Sequence, residues 1–276
     1  MATLVCFHAH PDDEAIATGG LMAKASAAGH RVVLVSATRG ELGEPQPDVL
    51  ADGEELWERR LAELAYAARI LGADRPRWLG YEDSGMMGEP TNANPASFWR
   101  ADHEEATGRL VAILEEVRAD VLTIYDDHGG YGHPDHIRVH TVGLAAARAM
   151  DIQHVFEATI NRDEIARLRS TAESAADEPA EDPPADGTSE VEGPDVDPET
   201  FGTPTARIAY RVDVIDVLDR KRAAMAAHRS QIGPDSFFLA MPETSFAVAF
   251  GAEWFNVPGD DRTHGPSDVE LLPGLY

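Results

Sequence analysis

The spacing of apolar residues in the first 160 positions predicts strands and helices that alternate along the chain. Short apolar runs rich in β-branched residues predict buried strands, and apolar residues at helical spacing that end at a glycine predict helices. Strands are predicted at 3–8, 31–36, 77–80, 120–125 and 154–160, and helices at 14–28, 54–71, 101–118 and 134–150. This alternation favours an α/β fold with a largely parallel sheet that helices cover on both faces.

The pattern changes near residue 170. Residues 172–199 hold eleven acidic residues, five prolines and no basic residue. Such a segment buries too little apolar surface to offset its ordering entropy, so we expect a flexible insertion, either a lid or a solvated loop. Beyond it, residues 206–214 alternate like a strand, 217–230 repeat like a helix, and the remainder is predicted to be irregular. We therefore divide the chain into a core (1–169), an acidic insertion (170–203) and a C-terminal part (204–276) that completes the same domain and the substrate pocket.

The composition restricts the partners that this chain can have. Its formal net charge is −26, and only Lys24 and Lys221 among its 23 basic residues are lysines. This charge repels nucleic-acid phosphates and anionic membranes, so neither is an expected partner. The single cysteine, Cys6, excludes an intrachain disulfide, and no apolar run is long enough to span a membrane. We expect a cytoplasmic protein, and whether it forms a homo-oligomer stays open.

Two histidine and carboxylate clusters each follow a predicted strand. Residues 9–14 read AHPDDE and residues 132–136 read GHPDH, with His10 and His133 123 positions apart. In open parallel sheets ligands bind beyond the carboxyl ends of the strands, so the two clusters are expected to meet in one crevice. Two imidazoles, a carboxylate and an open position are what a catalytic zinc requires.

Each cluster offers more groups than a metal needs. Asp12 and Asp13 are neighbours at a helix start, so one can bind a metal while the other points into the crevice; capping of the helix is the alternative. Pro134 suits the first position of the second helix, which leaves His133 outside that helix and His136 on its first turn. Asp135 is placed to orient a histidine, and we count it with the catalytic groups.

These groups fit the hydrolysis of an amide. A bound metal lowers the pKa of its water and polarises a carbonyl. Asp12 can take the water's proton, and a protonated His133 can stabilise the oxyanion or protonate the departing amine. Tyr131 can donate a hydrogen bond to the same oxyanion. The metal ligands in this arrangement are His10, Asp13 and His136.

At these residues the chain resembles the LmbE/PIG-L family of metal-dependent deacetylases. The resemblance rests on AHPDDE at 9–14 and GGYGHPDH at 129–136, in that order and spacing. Arg60 and Glu63 on a helix that ends in Leu71-Gly72, and the segment DSGM at 83–86, agree with it. Within the family the pattern is most similar to the N-acetylglucosaminyl-inositol deacetylases of mycothiol biosynthesis.

The resemblance implies a Rossmann-like zinc hydrolase that removes the acetyl group from an N-acetylglucosamine-type substrate. It implies one Zn²⁺ per subunit, with another divalent metal such as Fe²⁺ left open. The implied metal ligands are His10, Asp13 and His136. The implied catalytic groups are Asp12 as general base, His133 as electrophilic partner and Tyr131 as helper of the intermediate. The implied substrate-binding residues are Arg60, Asp83 and Met86.

Four alternatives to this function stay open at this point. The substrate could be a mycothiol S-conjugate, cleaved as an amide, or another N-acyl amino sugar. Two histidines and a carboxylate also form the facial triad of non-haem iron oxygenases, although Asp12 and His133 would have no role there. A non-catalytic α/β binding module would need a phosphate-binding glycine loop after the first strand, where this chain has residues 10–13, HPDD.

Overall fold

The first five strands form the parallel sheet that the sequence predicts. The computed structural model describes residues 1–176 and 201–276. Within the first part, the strand order β3-β2-β1-β4-β5 is parallel throughout. The elements are β1 (Thr3–His8), α1 (Asp13–Ala17), α2 (Gly19–Ala27), β2 (Arg31–Ser36), α3 (Leu56–Leu71), β3 (Arg77–Trp78), α4 (His103–Val117), β4 (Val121–Tyr125), α5 (Gly129–Gly132), α6 (Pro134–Ala149), β5 (His154–Thr159) and α7 (Arg162–Ala176).

Both faces of this sheet are buried, as alternation along β1 shows. Leu4 and Cys6 belong to one apolar core, and Val5 and Phe7 belong to the core on the opposite face. The two cores explain why the strand sequences are apolar without interruption, which is typical of parallel sheets covered by helices. The α/β prediction is therefore confirmed.

The C-terminal part is more regular than the sequence predicts. It contains β6 (Tyr210–Asp213), α8 (Leu218–Ala227), α9 (Phe237–Ala240), α10 (Glu243–Phe250), β7 (Ala252–Asn256) and β8 (Ser267–Val269). In the described residues the sheet has eight strands, and β7 is antiparallel to both of its neighbours, β5 and β6. The prediction of an irregular end was wrong because β7 carries a charged residue on its buried side. Glu253 is only 3% exposed and pairs with Lys221.

The single helix predicted over residues 14–28 is broken at Thr18. The Oγ1 atom of Thr18 lies 2.8 Å from Nε2 of His8, and its φ of −136° is not helical. A second helix then begins, and its first free amides, those of Gly20 and Leu21, donate to the Glu253 carboxylate at 2.6 and 2.8 Å. Carboxylates at helix N-termini are stabilising. The break depends on a partner more than 230 residues away, so local periodicity could not predict it.

The acidic insertion predicted at 170–203 lies largely outside the described residues, which stop at 176 and resume at 201. Its first residues belong to the end of α7. The chain resumes beside the second motif, where the Gly202 amide donates to the Gly130 carbonyl at 2.8 Å. The three-part division of the chain stays a prediction. Within the two described segments, no helix is long and apolar enough to cross a membrane.

Candidate metal centre

The two histidine motifs emerge side by side from neighbouring strands. β1 and β4 are hydrogen-bonded in parallel, with Leu4 opposite Val121 and Cys6 opposite Thr123. The loops that follow them therefore leave the same edge of the sheet. The ring centroid of His10 lies 4.6 Å from that of His133 and 5.4 Å from that of His136. The structure thus brings the predicted residues of both motifs into one cluster.

Asp13 links the two histidines predicted as metal ligands. Its Oδ2 atom lies 3.4 Å from Nδ1 of His10 and 3.4 Å from Nε2 of His136. The same oxygen accepts the His10 backbone N–H at 2.8 Å, which fixes the carboxylate. Burial would raise the pKa of Asp13, but the two imidazoles hold it well below its usual value. Asp13 is therefore a charged, oriented oxygen donor between two nitrogen donors.

The opposite side of the His10 ring faces a fully buried carboxylate. Nε2 of His10 lies 3.2 Å from Oδ2 of Asp135 and 3.6 Å from Oδ1 of Asp83. Asp135 also accepts hydrogen bonds from the amide of Ser84, at 2.9 Å, and from the Ser84 hydroxyl. Burial lowers the pKa of His10, but Asp83, Asp13 and Asp135 together raise it well above its usual value. Asp135 therefore contacts His10, the histidine that it would orient in the predicted role.

These donors fit a divalent cation such as Zn²⁺. Nitrogen and carboxylate oxygen atoms are the ligands that zinc takes in catalytic sites. A metal-binding histidine usually donates its second ring N–H to a carboxylate, and Asp135 supplies that acceptor. His10, His133 and His136 also place one ring nitrogen each within 4.8 Å of one another, as do ligand atoms of His10, Asp83, His133 and Asp135. The predicted ligand set differs from both of these groups, because its two histidines are joined through Oδ2 of Asp13.

Aromatic contacts hold His136 in place. Tyr125, the last residue of β4, stacks on the His136 ring with centroids 4.3 Å apart and planes 9° apart. The Tyr131 hydroxyl lies 3.4 Å from Nε2 of His136, and Tyr131 itself is 36% exposed. Gly129 has a φ of +68°, and a Cβ there would lie 2.5 Å from the His136 Cβ. A glycine is therefore required for this loop to pass so close to the histidine.

The pKa of His133 is lowered, whereas one role predicted for this residue requires the protonated ring. Its Nδ1 accepts the Asp135 backbone N–H at 3.1 Å, at the start of α6. Burial and the nearby imidazoles of His10 and His136 lower the pKa of His133 to about 2. The predicted role as an acid requires a protonated His133, but the ring is buried next to the imidazoles of His10 and His136. Since Nδ1 is an acceptor, the proton of the neutral ring lies on Nε2, which makes that atom a hydrogen-bond donor.

Asp12 lies in a strained backbone conformation next to the cluster. Its φ of +113° and ψ of −32° are rare for a residue with a side chain, and such conformations cost about 1–3 kcal/mol. Asp12 stands at the N-cap position of α1, but its carboxylate makes no capping hydrogen bond, so helix capping is not its role. Its Oδ2 atom instead lies 3.2 Å from an Arg60 nitrogen. Burial raises the pKa of Asp12 to about 6, although Arg60 opposes the rise.

The three predicted substrate-binding residues lie in different surroundings. Arg60 is 4% exposed and donates to the carbonyls of Gly40 and Pro11, both at 2.6 Å. Asp83 is buried beside His10, whereas Met86 is 46% exposed. Arg60 and Asp83 therefore border the cluster, while Met86 lies on the surface.

Sequence reasoning missed several residues that support the cluster. Ser84 lies inside the DSGM segment, so that motif carried a signal for it. The sequence pattern assigns Glu14 only to the start of a helix, but the side chain is fully buried. His228, 214 positions from Glu14, bonds to it at 2.6 Å, and no spacing in the sequence indicates this contact. Tyr125 was read only as the end of a strand.

Comparisons with known proteins agree with this geometry. The family model described as PIG-L, GlcNAc-PI de-N-acetylase, matches residues 5–147, which contain both motifs. A protein of Acidothermus cellulolyticus named 1D-myo-inositol 2-acetamido-2-deoxy-alpha-D-glucopyranoside deacetylase is 40% identical over 264 residues, covering 92% of this chain and 87% of the relative. A protein of the same name from Nocardiopsis dassonvillei is 40% identical over 294 residues, covering 97% of this chain and 99% of the relative.

A solved structure shows the same fold. The N,N'-diacetylchitobiose deacetylase of Pyrococcus horikoshii superposes with a TM-score of 0.58 over 93% of this chain and 84% of that protein. Its sequence identity to this chain is 22%, so the likeness concerns the fold alone.

Proposed function

The chain belongs to the PIG-L family of de-N-acetylases, and on that premise we propose that it hydrolyses the N-acetyl group of an N-acetylglucosaminyl-inositol. The observation that carries the proposal is the position of Asp13 between His10 and His136, with Asp12 and His133 beside them. The relatives with 40% identity over nearly the whole chain, which are named for this substrate, support the choice of sugar.

We propose His10, Asp13 and His136 as the residues that hold one divalent cation, with Zn²⁺ as the first choice. Such a cation supplies a Lewis acid that lowers the pKa of water and polarises the amide carbonyl. The Asp135 carboxylate fixes the His10 ring from behind, and Tyr125 fixes His136 by stacking. The chain thereby presents its donors in a preset orientation, which limits the entropy lost on binding the cation.

The remaining groups divide the proton transfers between them. Asp12 takes the proton of the attacking water, and its raised pKa suits a base that works near neutral pH. The Nε2–H of His133 donates to the oxyanion of the tetrahedral intermediate, since the neutral ring has its proton there. Because the lowered pKa of His133 disfavours the imidazolium form that could act as an acid, Asp12 returns the proton that it has taken to the departing amine. Tyr131 donates a second hydrogen bond from its position between Gly130 and Gly132.

The sugar is proposed to lie against Arg60, Asp83 and Met86. Arg60 and Asp83 border the cluster and carry opposite charges, which suits the many hydroxyl groups of a glucosaminyl-inositol. Met86 offers an exposed apolar surface on the same loop as Asp83. The cytoplasmic location and the question of a homo-oligomer stay predictions from the sequence.

Acetate release across a panel of amides tests this proposal. The panel contains 1D-myo-inositol 2-acetamido-2-deoxy-α-D-glucopyranoside, free N-acetylglucosamine, N,N'-diacetylchitobiose and an S-conjugated cysteinyl amide. We expect kcat/KM for the inositol glycoside to exceed the others by at least about 100-fold, because buried polar groups reject analogues that leave them unpaired. Equal rates on free N-acetylglucosamine would contradict the inositol specificity, and no acetate from any member would contradict the deacetylase. Hydrolysis must also proceed without oxygen, which an iron oxygenase could not do.

A further inference from the structure

We propose that Glu14 and His228 form a buried positioning pair that holds Asp12 in the conformation that catalysis requires. This inference rests on the proposed deacetylase function, because it concerns how the base of that reaction is aligned. Neither residue is a predicted metal ligand, and neither is assigned to substrate or to proton transfer above.

The Pro11–Asp12 peptide is held at both of its polar atoms. The Pro11 carbonyl accepts a hydrogen bond from Arg60 at 2.6 Å, and the Asp12 N–H donates to Oε2 of Glu14 at 3.0 Å. These two bonds hold the same peptide group, one at its carbonyl oxygen and the other at its N–H. The plane precedes the φ of +113° at Asp12, so together they fix the torsion that aims the Asp12 side chain.

His228 holds the other oxygen of the Glu14 carboxylate. Its Nε2 lies 2.6 Å from Oε1 of Glu14, and both side chains are completely buried. Two ionisable groups are costly to remove from water, so their retention indicates a specific role in this position. Without His228, the Glu14 carboxylate would be free to rotate away from the Asp12 amide.

The pair also gives the C-terminal part of the chain a role in the site. His228 directly follows α8, which belongs to the C-terminal part, whereas Glu14 lies on α1 next to the first motif. A strained conformation persists only where the surroundings determine it, and such strain concentrates at functional sites. The bond from His228 to Glu14 is a direct contact between the end of α8 and the residue that holds the Asp12 amide.

Four substitutions separate positioning from bulk stability. Glu14→Ala removes the acceptor of the Asp12 amide. Glu14→Gln keeps an oxygen for that amide and turns its N–H towards Nε2 of His228, which then accepts with the ring proton on Nδ1. His228→Ala releases Glu14, whereas His228→Gln keeps a donor at about the position of Nε2. Lys221→Met is the matched control, because it breaks another fully buried ion pair on the same helix without touching Asp12.

The measurements are kcat and KM on the best substrate of the panel, bound metal per chain, and the φ of Asp12 in crystal structures. In Glu14→Ala we expect kcat to fall about 100-fold with KM and metal content near their wild-type values, because a small misplacement of a catalytic group has this effect. In His228→Ala we expect a fall of about tenfold for the same reason. Both Gln variants are expected to recover most of kcat, and Lys221→Met to lower the melting temperature but not kcat.

Several results would overturn the proposal. One is a folded Glu14→Ala variant that keeps the wild-type kcat. Another is a pair of Gln variants that are as slow as the Ala variants. A third is a loss of kcat that is proportional to the loss of bound metal. If Glu14→Ala does not fold, His228→Ala against His228→Gln decides the question, because His228 contacts Glu14 rather than a predicted metal ligand. Measuring the φ of Asp12 in crystal structures requires no substrate. We expect this angle to leave the positive region in the Ala variants and to stay positive in the Gln variants. Failure of the wild-type chain on every substrate would instead refute the proposed function.

Discussion

Replacing Glu157 by glutamine is expected to make the chain more stable at alkaline pH. Glu157 lies on β5, is 8% exposed, and has its Oε1 atom 3.4 Å from Nδ1 of His140. Burial, together with the negative charges of Asp126 and Asp127, raises the pKa of this carboxyl from 4.5 to about 8. The folded chain therefore holds a proton on Glu157 that the unfolded chain releases at much lower pH.

The sign of the effect follows from that difference. A raised carboxyl pKa contributes stability that is fully present below about pH 4.5 and is lost as the pH rises through about 8. One pKa unit corresponds to about 1.4 kcal/mol, so the complete loss is on the order of 4–5 kcal/mol. Glutamine resembles the protonated side chain in shape and does not titrate. The free energy of unfolding of Glu157→Gln minus that of the wild type should therefore increase by about 4 kcal/mol from pH 5 to pH 9.

Urea unfolding of both proteins at several pH values measures this difference. Ile124→Val is the matched control, because Ile124 lies opposite Glu157 in the sheet and its truncation removes no titratable group. It should lower stability by about 1 kcal/mol at every pH. A difference between Glu157→Gln and the wild type that stays constant from pH 5 to pH 9 would refute the reasoning about Glu157.

Three further substitutions test the roles in the metal centre. Asp12→Asn should lower kcat by about 10²–10⁴-fold, because it removes the base, and should leave the bound metal measured by mass spectrometry unchanged. His136→Ala should lose the metal itself, since it removes a nitrogen donor. Ser84→Ala removes a hydroxyl donor from Asp135, which holds His10, and should weaken zinc affinity about 10–100-fold in a chelator competition.

Each of these has a result that would contradict it. Equal metal loss in the Asp12 and His136 variants would contradict the separate roles of base and ligand. Ser97→Ala is the control for Ser84, because Ser97 is equally buried on the same loop but its hydroxyl has no hydrogen-bond partner among residues 1–176 and 201–276. If both serine variants bind zinc with the same affinity, Asp135 does not act through Ser84.

The sequence predicted the parallel half of the fold because its signals are local. β1, β2 and β4 are short, mostly apolar runs, and α3 and α4 repeat their apolar residues at helical spacing. The meeting of His10 with His133 and His136 also followed, because parallel neighbouring strands bring their carboxyl ends to one edge. These parts require no knowledge of distant contacts.

The parts that sequence reasoning missed depend on contacts between distant residues. Glu253 is buried where Lys221 and two amides of α2 donate hydrogen bonds to its carboxylate. The local sequence around this charged residue therefore does not predict the strand β7. The pairing of Glu14 with His228 has no spacing that marks it. The lowered pKa of His133 could not be predicted for a similar reason, because it depends on burial and on imidazoles from two motifs.

The most direct test of the account is to remove the metal and restore it one equivalent at a time. The chain is stripped with a chelator, and acetate release from the inositol glycoside is followed while Zn²⁺ is added. We predict no turnover without metal, a linear rise to one equivalent per chain, and a plateau beyond it. Acetate release at the full rate from the stripped chain would contradict the claim that His10, Asp13 and His136 hold a catalytic cation.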